Sequence, residues 1–150
     1  SSGLHTNGYS LARAALLPHF TLDAHFEALD GTLGDALLAI HRSYLHPLSP
    51  LLDAGLVHAL SHVTGGGIVG NTRRVIPDTC TLDIAWDAWE RPALFRMIQE
   101  LGDVPEEDMR RTFNLGIGMI LIVAEGDADA VLGKLAGESP FTLGRIAARS

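Results

Sequence analysis

Nine consecutive residues, Leu115 to Val123, read Leu-Gly-Ile-Gly-Met-Ile-Leu-Ile-Val and carry no polar side chain. Such a run tolerates water on neither face, so as a strand it is expected to lie centrally, covered on both sides. It is far shorter than the roughly 20 apolar residues of a membrane-spanning helix. The covering layers must come from the rest of the chain, and 150 residues suffice for one domain with a single core. The second half reads strand, helix, strand, helix, strand. The expected class is therefore α+β, a mixed β-sheet layered with α-helices, with right-handed crossovers wherever neighbouring strands are parallel.

The remaining elements follow from periodicity and punctuation. Asn7 is a fitting N-cap for a helix from about Gly8 to Leu17, which Pro18 stops. Thr32 and Asp35 have capping-box spacing and open a short helix through Ile40, with a surface loop from Pro18 to Gly31 before it. A helix is expected near Pro50 to Asp53, ended by Gly55, and a strand from Leu56 to Val63. Leu82, Ile84 and Trp86 alternate with polar or small residues, the period of a half-buried strand. Leu94, Met97, Ile98 and Leu101 mark an amphipathic helix after Pro92. Glu106, Glu107 and Asp108 at the start of the next helix, and Arg110 and Arg111 at its end, complement its dipole. A helix over Asp127 to Ala136 and a strand over Phe141 to Ala147 complete the chain.

Composition removes several function classes. With 47% hydrophobic and 19% charged residues the chain is a globular one, not a disordered tail. A formal charge of −7 argues against a generic nucleic-acid partner, which needs clustered Lys and Arg. One cysteine, Cys80, cannot form an internal disulfide and suits a reducing compartment. The first residues have neither the charge nor the apolar stretch of a secretory leader, so a cytoplasmic location and no membrane partner are expected.

Four segments concentrate polar side chains beside glycine at expected element boundaries: Ser1 to Ser10, His62 to Gly67, Asn71 to Pro77, and Arg111 to Met119. Glycine permits positive φ and close backbone approach, so such loops can aim N–H groups at an anion. His58 and His62 share one face of an alternating strand, but no third ligand follows at metal spacing, so no metal site is expected.

In order and spacing the four segments resemble the AIR synthase family. Ser1 to Leu11 is similar to its S-S-G-x-H-S/T-N-G-Y/F-S-L signature. Val57 to Gly67 is similar to V-H-A-I/L-A/S-H-I/V-T-G-G-G, and Arg111 to Met119 to R-T-F-N-x-G-I/V-G-M. The similarity runs from Ser1 to about Ile146. Two segments depart from the pattern: Ile40-His41-Arg42-Ser43-Tyr44 stands where the family usually reads P-T-R-I/V-Y, and Asn71-Thr72-Arg73-Arg74 where it reads N-I/L-P-R.

The resemblance implies the C-terminal half of an enzyme that uses ATP to close formylglycinamidine ribonucleotide into aminoimidazole ribonucleotide. It implies ATP and Mg2+ held mainly by an N-terminal domain that would precede Ser1, with no cofactor in this half. Expected partners are the ribonucleotide substrate, that N-terminal domain, and a second copy in a homodimer. By the same resemblance His5 would be catalytic, Asn7, Gly8, Thr64, Gly65, Gly66 and Gly67 would bind substrate, and Arg74 would meet phosphate. Read from the residues alone, His5 and Asn7 serve equally as loop and helix caps, and Arg74 as one half of a surface ion pair. Alternatives are a sister ATP-dependent enzyme of the same superfamily (formylglycinamidine synthetase, thiamine-monophosphate kinase or selenophosphate synthetase) or a non-catalytic binding or dimerisation module.

Overall fold

The structure, a computed structural model, describes residues 1–149. Its elements in chain order are α1 (Tyr9–Leu16), β1 (His25–Phe26), β2 (Gly31–Thr32), α2 (Leu33–Leu37), α3 (Leu45–Asp53), β3 (Ala59–His62), α4 (Gly67–Thr72), β4 (Cys80–Ile84), α5 (Ala93–Leu101), α6 (Glu106–Thr112), β5 (Met119–Ile122), α7 (Ala128–Lys134) and β6 (Gly144–Ala148). The chain divides into two compact units. The first comprises Ser1–Arg42, Val63–Asn71 and Arg91–Gly118; the second comprises Ser43–His62, Thr72–Glu90 and Met119 to the last described residue.

The class is α+β, as expected. Among the described residues the strands pair as three two-stranded antiparallel ladders, β1–β2, β3–β5 and β4–β6, where the alternation of elements had suggested parallel neighbours in one mixed sheet. The apolar run explains much of the difference. Only Met119–Ile122 is strand, and its one ladder partner among the described residues is β3, in the register Ala59↔Ile122 to His62↔Met119. Upstream of it, Leu115 (φ 53°) and Gly116 (φ 103°) turn the chain, and the Gly116 amide donates to Asn114 Oδ1 at 2.9 Å. Leu115 and Ile117 enter the core of the first unit, while Met119 and Leu121 pack in the second. The run serves two cores in succession, not two faces of one strand.

In the first unit Leu4, Ala12, Leu16, Leu33, Ile68, Phe95, Ile98, Met109 and Phe113 are buried, with α1 against α5 and the Phe95 and Phe113 rings edge-on at 5.7 Å. Thr32 and Asp35 form the expected capping box, and α2 ends at Leu37 with Leu38 as its C-cap. The loop expected from Pro18 to Gly31 holds β1 and a 3-10 turn, Glu27–Leu29. Arg91 grips Glu106 with both terminal nitrogens, and Arg110 donates to the same carboxylate.

In the second unit Leu48, Leu51, Val131 and Leu135 form a cluster against which Tyr44, Val57, Leu60, Met119 and Leu121 pack. Helix α3 starts five residues before Pro50, because Pro47 falls in the first turn, where backbone N–H groups have no helical acceptor to lose. No helix among the described residues is long and apolar enough to cross a membrane.

Candidate functional site

The opening motif forms a loop before α1 whose backbone is strained. His5 and Thr6 are consecutive residues in the left-handed region, at φ 52° and 63°, and Gly8 follows at φ 73°. Such conformations cost of order 1–3 kcal/mol per residue and persist only where the surroundings impose them, often at functional sites. Asn7 does not cap α1. Gly8 takes the N-cap position without a side-chain cap, and Asn7 Nδ2 instead donates to the His5 carbonyl at 2.8 Å. Thr6 Oγ1 donates to the same carbonyl at 2.6 Å. The two bonds converge on one carbonyl, and His5 itself is 4% exposed.

Helix α2 and the segment after it close over this loop. Tyr9 donates to the Leu37 carbonyl at 2.7 Å, and the Arg42 amide donates to Ser2 Oγ at 3.1 Å. Between them the exposed His41 ring lies 4.1 Å from the His5 ring, tilted by 36°. His41 belongs to the segment in which this chain departs from the family pattern, so resemblance could not have assigned it.

The second loop, Thr64 to Gly67, leads from β3 into α4. Gly67 (φ 65°) is required by close packing: a Cβ there would lie 1.8 Å from the Arg110 carbonyl oxygen. Gly8 is similarly pressed against the Phe113 ring, which a Cβ would approach to 2.2 Å. Both glycines are thus explained by protein contacts, and the Gly67 amide donates to the Thr64 carbonyl at 3.2 Å. The Gly65 and Gly66 amides have no backbone acceptor among the described residues. The two loops meet at Gly65, where a Cβ would come within 2.8 Å of Asn7 Oδ1.

Two buried asparagines hold the loops. Asn114 Nδ2 donates to the Gly3 carbonyl at 2.7 Å, while its Oδ1 accepts from Ser1 Oγ at 2.8 Å and from the Gly116 amide. Asn71 lies beneath the glycine loop and bonds three of its carbonyls. Sequence reasoning placed both in notable segments and gave neither a role. The available signal was clear only for Asn114, a polar residue between Phe113 and Leu115, where burial obliges it to find partners.

Of the expected site residues, His5, Asn7, Gly8, Thr64, Gly65, Gly66 and Gly67 all fall in the first unit. Arg74 falls in the second, exposed on the segment between α4 and β4. A cavity of about 320 Å3 adjoins Ser2 and Gly3 and is walled by Ala36, Ala39, Leu94 and Phe95. None of His5, Asn7 or Thr64 to Gly67 lines it, so it is distinct from the paired loops.

Fold and site together define an α+β domain in which two glycine-bearing loops, each held by a buried asparagine, converge beside a buried histidine. The chain belongs to the family described as AIR synthase related protein, C-terminal domain, whose pattern matches residues 1–150. It is similar to proteins named phosphoribosylformylglycinamidine cyclo-ligase. The one from Anaeromyxobacter sp. (strain Fw109-5) is 46% identical over 149 residues, covering 97% of this chain and 43% of the relative. Those from Syntrophotalea carbinolica and Desulfitobacterium hafniense (strain Y51) are each 42% identical, over 98% and 100% of this chain and 43% and 44% of the relative. The chain thus spans less than half the length of these relatives.

Proposed function

We propose that this chain is the substrate-binding, cleft-closing C-terminal part of an ATP-dependent cyclo-ligase that makes aminoimidazole ribonucleotide from formylglycinamidine ribonucleotide. The observation that carries the reading is the contact between Gly65 and Asn7, the latter also bonded to the His5 carbonyl, from motifs some 60 residues apart.

In the reaction the formyl amide oxygen is phosphorylated by ATP, the amidine nitrogen attacks the activated carbon, and phosphate leaves as the ring closes. The residues here do not fit a Mg2+–ATP site. The glycine loop carries no lysine, its Gly67 face is filled by the Arg110 carbonyl, and the chain's single lysine, Lys134, lies in α7 of the second unit. ATP and Mg2+ would therefore be held by an N-terminal domain outside this chain, with a homodimer as the assembled form.

This chain's share is to bind and orient. Fixed N–H donors stabilise oxygens that gain charge without reorganising when the charge appears. Here those donors are the Gly65 and Gly66 amides, with Asn7 beside them. His5 manages the proton on the reacting nitrogen, a role suited to imidazole near neutral pH. Arg74 is a candidate contact for the ribonucleotide phosphate.

The test is ATP-dependent ring closure by the longer polypeptide and by the 150-residue chain alone. Turnover is expected from the first and not from the second. Activity of the short chain above a no-enzyme control, or inactivity of a folded longer protein, would refute the assignment.

A further inference from the structure

Asn71 is 5% exposed and sits in the last turn of the six-residue helix α4. Asparagine is a poor helix former, and so short a helix has little stability of its own. Its side chain explains its presence. Nδ2 donates to the Gly67 carbonyl at 2.7 Å and, at 3.3 Å each, to the carbonyls of Thr64 and Gly65, while Thr64 Oγ1 lies 3.4 Å from Oδ1. Two N–H bonds are thus shared among three acceptors, with the Gly67 bond the tightest. The amide orientation is dictated by the partners, since carbonyls can only accept.

This arrangement has a directional result. In a trans peptide the C=O of one residue and the N–H of the next point opposite ways. Drawing the Thr64 and Gly65 carbonyls toward Asn71 therefore turns the Gly65 and Gly66 amides away from it. Neither of these amides has a backbone acceptor among the described residues.

We propose that Asn71 is a positioning residue, which aims the Gly65 and Gly66 N–H groups at an anionic oxygen of the ribonucleotide substrate. This rests on the reading of Thr64–Gly67 as a substrate loop. Aspartate is the informative replacement. It has the same shape but sets a second acceptor oxygen against three carbonyls, so the loop peptides are driven to rotate.

The experiment compares steady-state kinetics of the longer enzyme carrying Asn71→Asp with the parent, per mole of folded protein. The KM for formylglycinamidine ribonucleotide is expected to rise by about 10- to 100-fold, with kcat within about threefold and the KM for ATP unchanged. If Asn71→Asp does not accumulate folded, Asn71→Ser serves, because serine can still bond back to the carbonyl four residues earlier, that of Gly67. The expected rise is then about three- to tenfold. A folded variant with a lowered melting temperature but unchanged substrate KM overturns the proposal, leaving Asn71 as structural support only. Gly66→Ala separates the two layers of the argument. If it too leaves the substrate KM unchanged, the substrate-loop reading fails and the Asn71 role falls with it. If it raises KM while both Asn71 variants do not, the Asn71 role fails alone.

Discussion

Replacing Gly67 by alanine asks how much of this site depends on one missing methyl group. The new Cβ would lie 1.8 Å from the Arg110 carbonyl oxygen, and ordinary contact begins at 3.4 Å, so the backbones must part by 1.6 Å. The obstacle is main chain at the end of α6, anchored by the fully buried Phe113, and cannot swing aside like a surface side chain. Forcing extra volume into a close-packed region costs about 1–3 kcal/mol. The left-handed conformation at φ 65° adds about 1–2 kcal/mol for any residue with a Cβ. Together the loss is about 2–5 kcal/mol, a large part of the 5–15 kcal/mol typical of a domain. Gly70, in the same helix, is the control: a Cβ there meets nothing within 4 Å, so Gly70→Ala should stabilise by about 0.5–1 kcal/mol. Urea unfolding followed by far-UV circular dichroism is the assay, since both tryptophans, Trp86 and Trp89, lie in the second unit and would miss the first. With a slope of about 1–3 kcal/mol per molar urea, a 3 kcal/mol loss moves the midpoint by about 1–3 M. A loss below about 1 kcal/mol for Gly67→Ala, or an equal loss for Gly70→Ala, would refute the steric account.

His5→Gln in the longer enzyme keeps hydrogen-bonding capacity but removes the titratable ring, so kcat should fall by about 10²–10⁴-fold with little change in KM. A kcat within threefold, accompanied by a lower melting temperature, would make His5 a structural loop residue. Acid stability offers a separate check. The Glu106 carboxylate is held down to about 2, foremost by its hydrogen bonds from Arg91, with those from Arg110 and Gln99 adding to the effect. A depressed carboxylate stabilises the fold above its unfolded value near 4.5 and loses that contribution as pH falls toward 2. The Glu106 side chain is 41% exposed and screened by solvent, so the contribution is about 1 kcal/mol. Glu106→Gln should therefore lower stability at pH 7 by about that amount and flatten its decline between pH 5 and 2, as read by urea midpoints across pH. An unchanged slope would show that the Arg91 grip is energetically neutral.

The local signals in the sequence were reliable where one interaction decides the outcome. The capping box at Thr32 and Asp35, the apolar face of α5 and the charge order of α6 all appear as read, because each depends on neighbours a few residues away. The glycine-bearing motifs were visible for the same reason. Interactions between distant segments were not. Periodicity could not show that Leu115–Val123 is cut by a turn at Leu115 and Gly116, since the turn is held by Asn114, whose side chain also reaches Gly3, 111 residues away in the chain. Nor could it show that Asn7 would leave the α1 N-cap to brace the His5 carbonyl, or that the His41 ring would lie against that of His5. The sequence by itself determined the α+β class, the positions of the loops and the family. Tertiary structure decided which loops meet, which glycines are demanded by protein contacts, and which asparagines direct the backbone. The reason is physical: a hydrogen-bonding side chain has several acceptable partners nearby, and only packing of the whole unit selects among them.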